Sequence, residues 1–521
     1  MGWRMRKDLQ NIGLVSAATA ASRILGLVRD ICLFVYLGAG VWASAFVLAF
    51  TLPNLFRRLL GEGALTSAVI PVLARELEND GRDSAFTFYN QLLTRLGFLL
   101  LLVAGAGSGL FLALRYLPWL NADRWDTALT LAAVLFPYLF FVCLAAIICA
   151  GLQVCGRFTA AALNAVWLNL TMIAALLIGG AFYSDKPVAI VAILCAGVLL
   201  GGILQCLLPA MDLRRTGWRF RPSLELSSGL KQVWKLFLPG VIGAAILQVN
   251  ILVSRVIAHW LDESAVSLLY LASRLMELPL GLFTIAVATV VFPTMARAVG
   301  RGDTADFSRS FLQGVRIVFA LSLAAGMGLL LYANEILTLL FQYGAFDAAS
   351  VSAAVPIVAI YGIGLPFYSL ATFGTRALHA HSDMRTPVRI AAVCLVVNVV
   401  LSLLLMQIFG VKGLALANVV AALIQAHLLW RGLARHSLDC NLKRLLPAFL
   451  QVIAAVTAMC LICLLIKYAS ISAIDNQHLQ AITTLSLGIP LAIATITLGL
   501  WLLRFEELNL LRQIIHRKFK P

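Results

Sequence analysis

A chain of 521 residues that is 61% hydrophobic and 12% charged, with a mean hydropathy of +0.94, is excluded from the class of water-soluble domains. Apolar runs of about 20 residues recur from end to end, the pattern of an all-α polytopic membrane protein. The net charge of +16 suggests a nucleic-acid partner only until its distribution is read. Basic residues gather in alternate loops (Arg4, Arg6 and Lys7; Arg75 and Arg82; Arg214, Arg215, Arg219 and Arg221; Arg297, Arg301 and Arg309; Arg512, Arg517, Lys518 and Lys520), while Arg115, Arg124, Lys186, Lys412 and Lys467 are the chief ones in the intervening loops. This positive-inside bias puts both termini in the cytoplasm and makes the charge a topology signal, so no nucleic acid is expected.

The runs place about 14 transmembrane spans, near 11–37, 43–74, 85–113, 127–152, 159–180, 187–210, 230–259, 264–296, 308–333, 350–375, 386–408, 412–432, 446–468 and 482–503. The first resembles a signal peptide in its basic start, but it runs past Arg23 and Arg29 to Leu37, longer than a leader's apolar core, and is read as an uncleaved span. With a rise of 1.5 Å per residue from position 11, Arg23 lies about 18 Å deep, near the middle of a hydrocarbon core roughly 30 Å thick. Such a charge facing lipid costs roughly 2.5–3.5 kcal/mol, so it should face protein or water. Ser16, Thr19, Arg23, Gly26 and Asp30 share one helical stripe. Arg29 falls about 120° away, and a bend at Gly26 would bring both arginines toward one cavity. The plainer alternative is that Asp30 neutralises one of them in a packed bundle.

In the second span Pro53 and the run Gly61-Glu62-Gly63 break helical regularity at membrane depth, where irregular backbone is tolerated if buried or lining a cavity. Arg58 and Glu62 stand at i, i+4, the spacing of an intrahelical ion pair. Arg57, about 21 Å deep by the same rise, has no partner at helical spacing. Spans three to six offer Asn164 and Asn169, for which helix–helix hydrogen bonding suffices. Segment 211–235 mixes basic and aromatic residues and reads as a cytoplasmic linker with an interfacial helix on anionic lipid.

An internal echo follows. VIPVLAR at 69–75 returns as VFPTMAR at 291–297, each preceded by a span with charge in it: Arg57 and Glu62 in the first, Arg274 and Glu277 in the second. Repeats of this kind are frequent in secondary transporters. Arg274 lies well below the surface, and the plainer alternative for it is neutralisation by Glu277 at i+3. Arg255 and His259 sit where snorkelling to the interface explains them. FQYGAFD at 341–347 reads as a loop, and His379, His381 and Asp383 resemble a metal cluster only superficially. Asn398, Asn418 and Gln425 read as ordinary polar groups of a bundle, with cation ligation the alternative. The last two spans, with almost no buried charge, read as peripheral. The cysteines sit singly in apolar runs as small packing residues.

There is no GxxxxGK(S/T) loop, HExxH or GxSxG, and acidic residues are sparse in the spans. No catalytic site, metal or cofactor is expected, and the chain is read as not an enzyme. The deep charge is mostly guanidinium, whose planar fork suits phosphate or carboxylate; the expected ligand is an anion, taken from within the membrane.

SRILGLVRD at 22–30, LPNLFRRLLGEGAL at 52–65 with IPVLAR after it, SRLMELP at 273–279, FQYGAF at 341–346 and DMRTPVRIA at 383–391 together resemble the MurJ/MviN family of lipid II flippases, within the multidrug/oligosaccharidyl-lipid/polysaccharide exporter superfamily. The resemblance covers nearly the whole chain. It implies fourteen helices in two pseudo-symmetric six-helix lobes around a central cationic cavity, plus two C-terminal helices forming a lipid-tail groove. On this chain the lobes are residues 1–210 and 230–440, joined by a linker at 211–229, with the helix pair and basic tail at 441–521. It implies alternating access carrying the undecaprenyl-diphosphate-linked disaccharide peptide across the bacterial inner membrane for peptidoglycan synthesis. Arg23, Arg29, Arg57 and Arg274 would hold the substrate, with Asp30, Arg58, Glu62 and Glu277 supporting or gating. Membrane potential or an ion gradient would supply the energy. The partners are lipid II, membrane lipids and the cell-wall synthesis machinery, with the chain a monomer. Three positions depart from the family's pattern: Ser44 and Ser273 stand where acids are common, and Thr51 where a base is. An exporter of another polyprenyl-diphosphate glycan, or of drugs, is the alternative; a drug exporter would favour buried carboxylates over arginines.

Overall fold

The computed structural model describes residues 2–59, 65–117, 123–225, 227–435 and 445–508, without the side chains of 2–12, 228, 238–244 and 247. Among these residues the regular structure is helical: α1 (Gly2–Leu37), α2 (Val41–Phe56), α3 (Leu65–Asn79), α4 (Gly81–Leu114), α5 (Asp123–Leu135), α6 (Tyr138–Val154), α7 (Thr159–Phe182), α8 (Pro187–Arg214), α9 (Ser228–Leu261), α10 (Ala265–Pro279), α11 (Ile285–Gly300), α12 (Thr304–Phe341), α13 (Ala348–Ala380), α14 (Arg385–Phe409), α15 (Val411–Ala434), α16 (Leu446–Ala473) and α17 (Gln477–Leu502). Eleven helices among the described residues are long and apolar enough to cross a membrane, counting α5 with α6 and α10 with α11 as single spans. The other three expected spans fall on α1, which carries charge in mid-helix; on the α2–α3 pair, interrupted at 57–64; and on α9, part of whose side chains lie outside the described residues.

The two copies of the sequence echo share a local feature. Residues 57–59 after α2 and Leu280–Thr284 after α10 both widen into a π-helical turn. Such turns break the i to i−4 ladder and re-aim the side chains around them.

The helices group into two compact units, residues 1–267 with 343–346 and residues 268–342 with 347–521. In the first, α1 lies along α7, α7 along α8, α2 against α5 and α3 against α9. Its interior holds Phe34, Phe46, Tyr89, Leu135 and Tyr138. In place of the expected interfacial helix, the described residues between α8 and α9 form a helix-free strap over α4. Trp218 is buried there and donates from Nε1 to Asn90 Oδ1 at 2.9 Å, while Asn90 Nδ2 donates to the Arg219 carbonyl at 3.0 Å. The amphipathic composition comes from tucking an indole under the strap.

FQYGAFD is indeed a loop, and its central residues are fixed parts of the first unit. The Ala345 N–H donates to the Val35 carbonyl at 2.8 Å, and the Phe346 ring meets Phe34 edge-on at 5.5 Å. Gly344 takes φ +57 with its α-carbon against the Val35 carbonyl, a conformation and a spacing that exclude a side chain.

In the second unit α12 packs along α13, α13 and α14 along α15, and α16 with α17 against α12. Gly326 and Gly362 bring α12 and α13 so close that a Cβ on either would collide with the other's carbonyl, the small-residue contact typical of membrane helices. Phe307, Phe311, Phe373 and Leu429 form one core; Val452, Met459, Cys463 and Leu485 form another around Tyr332. On the outward faces of both units large apolar side chains such as Phe98, Leu101, Ile408 and Leu465 stand exposed, as lipid-facing positions require.

One expectation about this unit is overturned: Lys467 belongs to α16, not to a loop, and its Nζ, on a side chain 26% exposed, lies 3.0 Å from the carboxylate of Glu335, a residue of α12 that is 1% exposed. Arg316 of α12 pairs at 2.9 Å with Glu507, buried just beyond α17. The helices continue past the apolar runs that mark them, so groups near the run ends are carried into protein contacts.

Candidate functional site

Asp30 is one of the most buried acids of the first unit, 2% exposed. Arg29, its chain neighbour, bends back so that Nη2 and Nε reach Asp30 Oδ1 at 2.6 and 3.0 Å. The remaining Nη1 donates to Asn169 Oδ1 on α7 at 3.1 Å, and Asn169 Nδ2 donates to the Ser22 carbonyl on α1 at 3.1 Å. The network thus runs from α1 to α7 and back. Every strong donor finds an acceptor, which a buried ion pair needs to offset its desolvation. The plainer alternative for Arg29, neutralisation by Asp30, is the observed one, and the helix–helix role of Asn169 includes orienting a guanidinium.

Arg23 stands apart from this network. It is exposed on α1 and makes no hydrogen bond or ion pair to another described residue. Arg57 sits half-buried in the π-helical turn after α2, and its Nε donates to Asn54 Oδ1 at 2.8 Å. Asn54 is at i−3, so Arg57 does have a partner at helical spacing, an uncharged amide that the sequence reading overlooked. Arg58 is half-buried beside it. Glu62, with residues 60–64, lies outside the described residues.

A basic residue that the sequence reading set aside joins α2. Arg255 does not snorkel: from α9 its Nη1 donates to the Thr51 hydroxyl, which itself donates to the Val47 carbonyl at 2.6 Å. Position 51, where the family pattern has a base, therefore receives a guanidinium from another helix. His259 is likewise fully buried, its ring edge-on to Trp125 at 4.6 Å and its Nε2 3.1 Å from the Arg124 carbonyl. The other departures have ordinary roles. The Ser44 hydroxyl accepts the Ser267 N–H at 3.2 Å, and Ser273 donates to the Tyr270 carbonyl at 2.8 Å.

In the second unit, Arg274 Nη1 pairs with Glu277 Oε2 at 2.9 Å, and its guanidinium lies 5.8 Å from the centre of the Tyr270 ring. Both partners are on α10, so the plainer alternative, pairing at i+3, is the one made. The pair is partly exposed, a third of the arginine and almost half of the glutamate side chain. An ion pair of that openness contributes about 0–1 kcal/mol and yields readily to a better anion.

No group of three or more metal-ligating side chains is found among the described residues. Asp383 serves as a helix cap, accepting from the Thr386 N–H and hydroxyl at 2.9 and 2.6 Å, and the His381 ring packs on Phe307. Asn418 donates to the Tyr361 hydroxyl and the Leu414 carbonyl.

Comparison with known proteins adds to this geometry. A family model described as lipid II flippase MurJ matches residues 34–481. The probable lipid II flippase MurJ of Haemophilus influenzae is 35% identical over 459 residues, spanning 85% of this chain and 89% of that one. Its counterpart in Rhizobium tropici is 31% identical over 531 residues, spanning 97% and 96%. Among solved structures, a lipid II flippase MurJ in an inward closed conformation superposes with a TM-score of 0.76 at 22% identity over 94% of this chain and 98% of that one. An inward-facing multidrug transporter of the MATE family superposes at 0.66 with 16% identity; at such identities the likeness is one of fold.

Proposed function

The chain belongs to the lipid II flippase MurJ family, and from that premise we propose that Arg23, Arg29, Arg57 and Arg274 bind the diphosphate of lipid II while the protein carries it between leaflets by alternating access. It is a multi-pass protein of the bacterial inner membrane, and the lipid-linked precursor it moves serves peptidoglycan synthesis.

The observation that carries the proposal is Arg23: a guanidinium exposed in the middle of α1, without a carboxylate partner among the described residues. Left to face lipid it would cost roughly 2.5–3.5 kcal/mol. A diphosphate supplies the missing anion and takes guanidinium groups bidentately. Arg274, paired with the partly exposed Glu277, exchanges that carboxylate for phosphate oxygens at little cost. Asp30 and Asn169 hold Arg29 in place, and Arg58, Glu62 and Glu277 tune the charge around the site. Arg255, fixed on Thr51, adds a further positive group beside α2.

On this proposal no covalent step, metal or cofactor takes part, and the chain works as a monomer with both termini in the cytoplasm, feeding the cell-wall synthesis machinery. Membrane potential or an ion gradient supplies the drive; one charge moved across 100 mV gains about 2.3 kcal/mol. The test is a leaflet-resolved assay of lipid II with purified protein in vesicles. Alanine at Arg23, Arg29, Arg57 and Arg274 together should abolish transfer. Wild-type transfer by that quadruple variant would overturn the proposal, and equal transfer of a polyprenyl-diphosphate glycan lacking the peptide would favour the broader exporter reading.

A further inference from the structure

The end of α12 opposite Arg309 and Arg316 joins the first turns of α13 and α17 around a cavity of 310 Å³. Its polar lining is Asn334, Glu335 and Thr338 of α12, Gln342 just after it, Ser352 of α13, and Gln477 and Gln480 of α17, with Gln342 Nε2 donating to Gln477 Oε1 at 3.4 Å. None of these residues belongs to the arginine set above.

Two of them are deeply buried and incompletely used. Thr338 is 4% exposed, and its hydroxyl makes no hydrogen bond to another described residue, although buried hydroxyls on helices ordinarily bond back to a carbonyl. Glu335 is 1% exposed, and among the described residues the ammonium of Lys467 is its cationic partner. A carboxylate has about four acceptor sites, and Glu335 Oε1 is buried without a hydrogen-bond partner.

The charge balance narrows the ligand. Lys467 cancels Glu335, so the lining is neutral overall and favours neither a cation nor an anion. Its polar groups are amides, hydroxyls and one carboxylate, set beside Ala348, Val351, Val355 and Ala481, a mixture that suits an occupant with both polar groups and apolar edges. Amides and hydroxyls both donate and accept, and they match a ligand whose own groups do the same. The volume sits at the small end of ligand pockets, about 300–1,000 Å³, enough for one sugar ring.

We propose that this cavity binds a neutral saccharide ring bearing hydroxyl and acetamide groups, an N-acetylhexosamine, with Glu335 and Thr338 at its floor and the amides of Asn334, Gln477 and Gln480 around its rim. The site lies wholly within the second unit and stands without the transport proposal.

The test uses the full chain in nanodiscs and ligand-observed NMR, with N-acetylglucosamine as probe and choline and inorganic phosphate as charged comparators. Saturable contact with the sugar, and no displacement by either comparator, is the expected result. Thr338→Val with Gln480→Leu removes two hydrogen-bonding groups while keeping volume, and should weaken binding at least tenfold with an unchanged unfolding midpoint. Ser352→Trp, at an exposed position, should fill the cavity and give the same loss should the first variant fold poorly. Absence of saturable contact with the wild-type chain, sugar contact that survives Ser352→Trp, or displacement of the sugar by choline or phosphate would overturn the proposal.

Discussion

Arg29 and Asp30 are chain neighbours whose charged groups meet at 2.6 Å inside the first unit, with Asn169 of α7 closing the third side. Adjacent residues on a helix point about 100° apart, so the contact exists only because the long arginine side chain turns back along α1. The pair is buried, with 11% and 3% of the two side chains exposed. Removing one partner of such a pair leaves a stranded charge at a cost of about 3–5 kcal/mol, whereas removing both is much milder. Asp30→Asn should therefore lower the unfolding midpoint in detergent more than the double change Arg29→Gln with Asp30→Asn. A double variant less stable than the single one would show that Asp30 does not serve as the arginine's counter-ion.

Asn54 is expected to act through Arg57. Its amide oxygen takes the Nε proton at 2.8 Å, which fixes the plane of the guanidinium and the direction of its two terminal nitrogens. A hydrogen bond to a charged group contributes about 1.5–3 kcal/mol, so Asn54→Ala should slow lipid II transfer by roughly tenfold or more through loss of that aim. Asn54→Asp keeps an acceptor and should retain the binding geometry while adding a competing negative charge, so its defect should appear as weaker substrate binding. Initial rates against lipid II density separate the two. Equal, wild-type behaviour of both variants would leave Asn54 without a positioning role.

The candidate arginines were legible in the sequence because they violate composition: a guanidinium in mid-span is an outlier that depth counting finds. Their partners were less so. Asp30 and Glu277 lie within helical reach of Arg29 and Arg274 and could be named, but Asn169 is 140 residues from Arg29 and Thr51 is 204 from Arg255. No periodicity links such pairs; helix packing selects them. The same limit explains Lys467. Hydropathy marks where an apolar run stops, and α16 continues past that point to deliver the ammonium to Glu335, 132 residues away. The linker failed for a related reason: an aromatic and basic stretch suits a membrane surface, and equally suits a strap whose Trp218 finds Asn90 to bond.

Gly344 should tolerate no side chain. Its φ of +57 costs an L-residue about 1–2 kcal/mol, and a Cβ would also run into the Val35 carbonyl that receives the neighbouring Ala345 N–H. Gly302 gives the comparison, with φ +69 and open space around the Cβ position. Gly302→Ala should show the conformational cost alone, and Gly344→Ala a clearly larger drop in unfolding midpoint, with loss of the Phe34–Phe346 contact. Equal drops for the two variants would mean that the loop yields to the added methyl group.

Lys467 should matter more to the second unit than its place near a helix end suggests. At Tyr332 the backbone of α12 leaves helical geometry, with φ −107 and ψ 16, and the carbonyl just before it, Leu331, is taken by Lys467 Nζ at 2.8 Å. The same ammonium holds Glu335 one turn on. One side chain from α16 thus satisfies both the bent backbone and the buried carboxylate. Lys467→Met keeps the apolar stem but removes both contacts, and should cost about 3–5 kcal/mol by stranding Glu335. Adding Glu335→Gln should restore part of that loss, since a neutral amide is cheaper to bury than a lone carboxylate. It should not restore all of it, because the Leu331 carbonyl stays without its donor. Unfolding of the two single variants and the double variant in detergent gives the coupling directly. Simple additivity of the two losses would mean that Glu335 and Lys467 stabilise α12 independently.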